Sequence, residues 1–438
     1  MQGDRKALPV TPQRGDKHYA VPRAEAIGLI MIKKQIPELL SPAGSMEKLR
    51  AALLYGADAA YLAGTMFGMR AAASNFTDEE LAQAVSLAHG MGKKLYLTLN
   101  TMPREYEYPT LREYLGRIGG LGLDAFIVGD LGVFALVREL LPDMEIHVST
   151  QMSCVSSSAA KMWQSLGAKR VVLARELTLE EIERIRDAIP PELELEAFIH
   201  GSMCVSYSGR CLLSNYFTGR DGNRGQCAQP CRWNYTITEE KRPEQHLPIE
   251  QTEHGTFIMS SKDMCMIEHI PELMKSGINS FKIEGRMKSA YYTAVVTNAY
   301  RMAMDAYTKN PSAYAYDPAW MRELESVSHR EYATGYYFDN AIENAQTVET
   351  RGYLREKAYL AVVTDYDPET GVASFIQRNK VVSGTDAELI SPGSVGRSLP
   401  VHGMKNEAGE EIDAAPHPFM PFTMPVPFPV RPGDILRA

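Results

Sequence analysis

From residue 38 onward, short aliphatic and β-branched runs alternate with longer stretches whose apolar residues recur at helical spacing. The runs cover 38–41, 59–63, 94–99, 125–128, 145–148, 170–173, 194–199, 257–259 and 281–283. Between them, 45–55, 78–89 and 179–188 read as amphipathic helices, with Thr77 and Thr178 placed ahead of acidic residues as N-caps. Such alternation predicts a parallel sheet of βα units. With eight or nine strands, a closed (β/α)8 TIM-like barrel is favoured over an open doubly wound sheet. One run is surplus: 257–259 either joins the barrel or pairs with 235–238 in an excursion outside it.

After Tyr353 the period shortens. The runs 357–365, 372–377 and 387–390 alternate between apolar and polar, with turns at Asp367-Pro368, Thr370-Gly371 and Pro392-Gly393, as in a small all-β domain. Seven prolines between Pro416 and Pro432 confine that part to an edge or an extended strap, and Pro432-Gly433-Asp434 turns into a last short strand. The expected organisation is a disordered leader over 1–33, a barrel domain over 34–352 with a cysteine-rich excursion over 202–256, and a small β-barrel-like domain over 353–438. The first 35 residues carry seven Lys/Arg and no sustained periodicity, and Met31 is a candidate natural start.

Composition narrows the function classes. The chain has 438 residues and a formal charge of −8, so a global positive field that steers it to nucleic acid is excluded and any such contact must be local. No apolar run approaches the ~18 residues of a membrane span, which leads to the expectation of a cytoplasmic protein with no membrane partner. Gly120, Gly122 and Ala125 spell a dinucleotide fingerprint, but they precede a strand and cannot cradle a pyrophosphate. Neither G-x-S-x-G nor H-E-x-x-H occurs, and no histidines stand four apart as a metal pair.

Cysteine is the specific signal. Four of six cysteines, Cys204, Cys211, Cys227 and Cys231, fall within 28 residues as C-x6-C-x15-C-x3-C. A chain of this size needs no covalent staple, so ligation of a soft metal centre is the better reading than a disulfide framework. Structural zinc usually takes two C-x2-C knuckles, which this chain lacks, whereas iron-sulfur clusters accept wider loops; spacing leaves both open. Cys231 is followed by Arg232, Trp233 and Asn234, which rules out the C-x3-C-x2-C of radical S-adenosylmethionine enzymes. Cys154 reads as a small buried hydrophobe, and Cys265 as a substitute ligand for Cys231.

Barrel active sites lie where strands end, so strand-terminal polar residues are the next candidates. Arg175, His200, Lys262 and the Lys282-Ile-Glu284-Gly-Arg286 phrase stand out. Period two puts Lys282, Glu284 and Arg286 on one side, with Gly285 ahead of a helix whose N–H groups could face an anion. A layer of ion pairs is the alternative. Ser41, Asp130 and Thr150 divide between site residues and caps or turns. The cysteine segment is itself basic, with Arg210, Arg220, Arg224 and Arg232 against Asp221, and carries Tyr207, Tyr216, Phe217, Trp233 and Tyr235. That combination suits stacking on unpaired bases, or arginines that balance an anionic thiolate cluster.

The segment Glu196-Ala-Phe-Ile-His-Gly-Ser-Met-Cys204-Val-Ser-Tyr-Ser-Gly-Arg-Cys211-Leu-Leu-Ser214 resembles the signature of the collagenase-like family long labelled as unclassified peptidases. Agreement extends through 37–44, 56–61, His147-Val-Ser-Thr-Gln151, Arg224-Gly-Gln-Cys-Ala-Gln-Pro-Cys-Arg-Trp233, Ser261-Lys-Asp263 and 282–289, and covers 34–438. Within the family, length, the Cys-Ala-Gln-Pro-Cys phrase and the β appendix resemble the branch of bacterial prephenate-dependent tRNA uridine hydroxylases. The resemblance implies formation of 5-hydroxyuridine at the wobble position. It implies a 4Fe-4S cluster on Cys204, Cys211, Cys227 and Cys231, prephenate as co-substrate and the tRNA anticodon arm as partner. Cationic hosts for a dicarboxylate would be Arg175, Lys262, Lys282 and Arg286. Related chains in oxygen-independent ubiquinone hydroxylation are the nearest functional alternative; a peptidase and a zinc-stapled RNA-binding adaptor are the others.

Overall fold

The computed structural model describes residues 36–69, 75–233, 236–239, 242–248, 260–338, 346–347 and 357–438. The leader, Met31, Tyr235 and the run 257–259 lie outside the described residues.

Seven strands, β1 (Glu38–Pro42), β2 (Ala59–Leu62), β3 (Lys94–Leu99), β4 (Ala125–Val128), β5 (Glu145–Val148), β6 (Arg170–Val172) and β7 (Glu194–Ser202), pair in parallel in chain order. Ser280–Ile283 is the eighth stave; it pairs in parallel with both β7 and β1 and closes the cylinder. Helices α1 (Met46–Leu54), α2 (Asp78–Gly90), α3 (Tyr108–Ile118), α4 (Leu131–Leu140), α5 (Ser157–Ser165) and α6 (Leu179–Ala188) fill the crossovers. Thr77 and Thr178 each form a reciprocal capping box, with Glu80 and Glu181, as their sequence positions predict. Asp130 and Ser45 cap α4 and α1, so Asp130 serves the backbone. Thr150 donates to the Leu173 carbonyl, and the hydroxyl of Ser41 meets that of Thr297.

The pleat sorts each strand. Leu95, Leu97 and Leu99 belong to the large core between staves and helices, while Leu40, Tyr61, Tyr96 and Ile127 form a separate small cluster inside the cylinder. Beside that cluster lies a set of buried charges. Arg170 bonds Glu38 at 2.7 Å, Glu194 at 2.8 Å and Glu196 at 3.1 Å, and Lys282 bonds Glu196 at 2.6 Å. This layer of ion pairs is built on Glu38, Arg170 and Glu194, which open their staves; of the mouth residues for which such a layer was the alternative, Lys282 joins it, whereas Arg286 bonds Thr98 and the Met69 carbonyl.

Two interior histidines add an acid-sensitive element. Burial holds the His147 imidazole down at about 3, with Arg170 adding to the effect; burial holds His200 at about 3 as well, opposed by Asp263. The unfolded chain protonates both near pH 6.5 and the folded chain does not, so stability is complete above that pH and is lost as pH falls. We expect roughly 2 kcal/mol less stability per histidine at pH 5 than at pH 7. Urea unfolding at the two pH values measures it, and equal midpoints would contradict it.

At its upper end β7 runs past the barrel and pairs antiparallel with Asp263–Cys265, which in turn pairs with Tyr332–Ala333. This extension is not a ninth stave. Thr236–Glu239 pairs antiparallel with Arg242–Pro248. The long helix Ala290–Lys309 follows the eighth stave, capped by Ser289. Gly285 therefore stands five residues before the helix it was expected to open, and at φ +150° its missing Cβ leaves room for the Tyr292 ring.

The C-terminal part forms a six-stranded sheet in the order Arg397–Pro400, Asp386–Ile390, Ile435–Arg437, Tyr359–Asp367, Val372–Gln377, Pro421–Pro425, antiparallel throughout and with its own apolar core. The proline-rich strand sits at the edge, as its missing N–H donors require. Among the described residues no ladder joins the two edge strands. Arg437 ties it to the barrel through Glu323 at 2.7 Å and Ser326 at 2.9 Å. Among the described residues no helix is long and apolar enough to cross a membrane.

Candidate functional site

The cysteine segment leaves β7 at Ser202 and lies over the strand ends. Gly209, at φ +78°, lets the chain press against Gln151 at the end of β5, where a Cβ would stand 2.8 Å from Oε1. Ser153 Oγ donates to the Ser208 carbonyl at 3.2 Å. Asn223 Nδ2 donates to the Cys211 carbonyl at 3.0 Å, and Arg224 forms a bidentate pair with Glu107 at 2.8 and 2.7 Å. These contacts pin the segment to the β3 and β5 loops, a brace the sequence alone did not reveal for Arg224.

The Cys227-Ala-Gln-Pro-Cys231 turn is shaped by two backbone devices. Gln229 takes the left-handed conformation at φ 58°, and Pro230 fixes the first residue of the following turn. The Gln229 N–H then donates to Cys227 Sγ at 3.4 Å. All four clustered cysteines are free thiols and line one cavity of about 200 Å³. Burial pushes the Cys231 thiol up; Arg232 pulls it down, and the thiols of Cys204, Cys227 and Cys211 each push it up again.

One tetrahedral zinc would hold its sulfurs roughly 3.8 Å apart, since each Zn–S bond is about 2.3 Å. Among the described residues no three His, Cys, Asp or Glu side chains are gathered for a single ion. The four thiols share one cavity, a soft donor set of the kind an iron-sulfur cluster would use. Cys265 is elsewhere. It ends the strand Asp263–Cys265, does not line the cavity, and its Sγ lies 3.9 Å from the Tyr300 hydroxyl, with burial pushing the thiol up to about 12. Cys154 is buried, the small hydrophobe expected of it.

Below the cysteine cavity lies a pocket of about 60 Å³ at the barrel mouth, lined among others by Arg175, Lys282, Glu284 and Arg286. Met69, Gln151 and Arg175 line both spaces, so the two adjoin. Three of the four expected cations thus converge. Lys262 does not: it precedes a strand that runs against the staves, and pairs with Glu331 at 2.5 Å.

The three cations differ in what their donors already do. Lys282 is bound to Glu196, with its ammonium 4.4 Å from the centre of the Tyr61 ring. Arg286 donates to Thr98 Oγ1 at 3.1 Å and to the Met69 carbonyl. Arg175 gives Nη1 to the Ser202 carbonyl at 2.7 Å and lies 3.9 Å over the Phe198 ring, while its Nε is buried with no hydrogen-bond partner among the described residues. His200 is a buried residue among Tyr292, Tyr300 and Tyr332 and lines neither space. Met69, in the loop after β2, carried no sequence signal; only the folded chain brings it to both cavities.

Residues 44–347 match the family model described as Peptidase family U32, and 355–437 match the Peptidase family U32 C-terminal domain. The chain is 36% identical over 401 residues to "tRNA hydroxylation protein P1" of Bacillus subtilis, covering 92% of this chain and 94% of that one. It is 35% identical over 431 residues to "tRNA hydroxylation protein P" of Escherichia coli, covering 89% and 94%. It is also similar to "Collagenase" of Porphyromonas gingivalis, at 31% identity over 366 residues, covering 81% and 86%. On matches that take in the barrel, the cysteine segment and the C-terminal sheet, this chain belongs to peptidase family U32.

Proposed function

We propose that the chain is a tRNA-modifying enzyme that hydroxylates the wobble uridine to 5-hydroxyuridine in a prephenate-dependent reaction. In this reading Cys204, Cys211, Cys227 and Cys231 hold a 4Fe-4S cluster. The observation that carries it is the adjacency of a four-thiol cavity and a cationic mouth pocket through Met69, Gln151 and Arg175. Relatives named for tRNA hydroxylation, matched along nearly their whole length, support the choice of reaction.

A bound cluster of this type would supply one-electron redox capacity that protein side chains lack. The chain's own residues bind and orient. Arg175 is the anchor for a substrate carboxylate, because its buried Nε–H still needs an acceptor and a carboxylate provides one in charge-assisted form. Lys282 and Arg286 keep positive charge behind that anchor while their hydrogen bonds brace the eighth stave and the Met69 loop. Lys262 is peripheral to this arrangement.

Nucleoside mass spectrometry of tRNA from cells with and without the gene tests the reading. The 5-hydroxyuridine-derived nucleosides should disappear with the gene once any parallel route is also removed; unchanged levels reject it. For the anchor, Arg175→Met should raise the prephenate concentration needed for half-maximal hydroxylation by roughly 10- to 100-fold, the value of a lost charge-assisted bond. Lys262→Ala should leave it unchanged. An Arg175→Met enzyme with the ordinary prephenate dependence would remove the anchor.

A further inference from the structure

The short helix α7 (Leu213–Thr218) lies between Cys211 and Cys227 and has two unlike faces. On the inner face Ser214 is buried, its Oγ accepts from the Ala228 N–H at 2.9 Å, and Leu213 and Ser214 line the thiol cavity. The outer face exposes large rings: Tyr216 is 85% exposed and Phe217 50%, and Trp233 joins them at 44%. The rings of Tyr216 and Phe217 meet at 5.3 Å between centroids, and those of Phe217 and Trp233 at 6.4 Å. Contiguous exposed aromatics of this kind mark a contact surface.

The charges flanking the helix identify the contact. Arg224 and Arg232 are engaged within the protein, whereas Arg210 and Arg220, on the loops before and after α7, are exposed with no side-chain partner among the described residues. Arg220 also lines the thiol cavity. In a chain of net charge −8 a polyanion gains nothing from the overall charge, and exposed arginines offer it a local attraction. Rings with guanidinium groups beside them are the equipment for unpaired nucleotides: bases stack on the rings and phosphates meet the arginines.

We propose that Tyr216, Phe217 and Trp233, flanked by Arg210 and Arg220, form a stacking platform for single-stranded RNA at the rim of the thiol cavity. The platform holds the nucleotides that neighbour the reacting base, and α7 sets their distance from the cavity because Ser214 is fixed to the Cys227 loop. This rests on the tRNA reading of the site and names the surface that would receive the splayed loop.

The test is fluorescence anisotropy of the iron-loaded protein with a labelled unpaired ten-nucleotide RNA, the same RNA as duplex, and anionic lipid vesicles as a control surface. The single strand should bind in preference to both. Tyr216→Ala with Phe217→Ala should weaken it about 10- to 100-fold, while Tyr216→Phe, which keeps the ring, should bind as wild type. Arg210→Ala with Arg220→Ala should reduce the slope of log affinity against log salt by about 1.4, two phosphate contacts on a single strand. Unchanged affinity in the double alanine variant, equal binding of duplex, a loss on Tyr216→Phe equal to that on alanine, or tighter binding to vesicles would each overturn the platform. Iron content and circular dichroism equal to wild type show that the variants are folded. Unchanged tRNA nucleosides in cells lacking the gene would overturn the reaction while leaving the strand-binding result to stand by itself.

Discussion

Alanine in place of Cys231 should strip iron and sulfide from anaerobically purified protein and lower 5-hydroxyuridine formation at least roughly 100-fold, whereas Cys265→Ala should keep its iron. Loss of an outer-shell partner of a metal ligand already costs about 10- to 100-fold, so loss of a ligand belongs at or beyond the upper end. The discrimination follows from where the two sulfurs are. Cys231 lines the cavity shared with Cys204, Cys211 and Cys227, and feels all three thiols. Its height is set by the left-handed Gln229 and by Pro230, both within the Cys227–Cys231 turn. Cys265 is packed behind β7 against the Tyr300 hydroxyl, where burial favours the neutral thiol, and the neutral thiol is not a ligand. Iron and sulfide analysis of the two variants side by side decides the matter. A colourless Cys265→Ala protein and a brown Cys231→Ala protein would move the fourth ligand to the strand Asp263–Cys265.

The spacing of the four cysteines marked the shared thiol cavity in the sequence because clustering survives without knowledge of the fold. The barrel was legible for a related reason. Staves such as Lys94–Leu99, Ala125–Val128 and Glu145–Val148 are buried on one or both faces, so their bounds follow from apolar runs ended by polar residues. Thr77 and Thr178 announced their helices through local capping chemistry, which depends only on residues three apart. What stayed hidden was long-range. Asp263–Cys265 has none of the β-branched residues that signal a strand, and exists because β7 overruns the barrel and offers it a partner. Arg224 was one of four equivalent arginines until Glu107, 117 residues away, fixed it. The same holds for Lys282, whose partner Glu196 is 86 residues distant and reads in sequence as one more residue of an apolar strand.

That buried pair supports the second large expectation. Burial alone would push the Glu196 carboxyl up, but Lys282 and Arg170 more than offset it and hold it below the usual carboxylate range. Burial lowers the Lys282 ammonium in turn, opposed by Glu196; the two meet at 2.6 Å inside the cylinder, with Arg170 completing the set against Glu38 and Glu194. Lys282→Met removes one cation and leaves three carboxylates to a single guanidinium. Breaking a buried pair from one side costs roughly 3–5 kcal/mol, because the remaining charge is uncompensated. The expected result is a urea midpoint well below wild type. Adding Glu196→Gln to Lys282→Met removes the stranded charge and should recover a substantial part of the loss, since the two sites share one interaction. If Lys282 instead serves chiefly as a substrate host, Lys282→Met would keep the wild-type midpoint and lose only prephenate dependence, and the second substitution would rescue nothing. The double variant separates the two because a carboxylate ligand comes and goes, whereas Glu196 is present in every state of the folded chain.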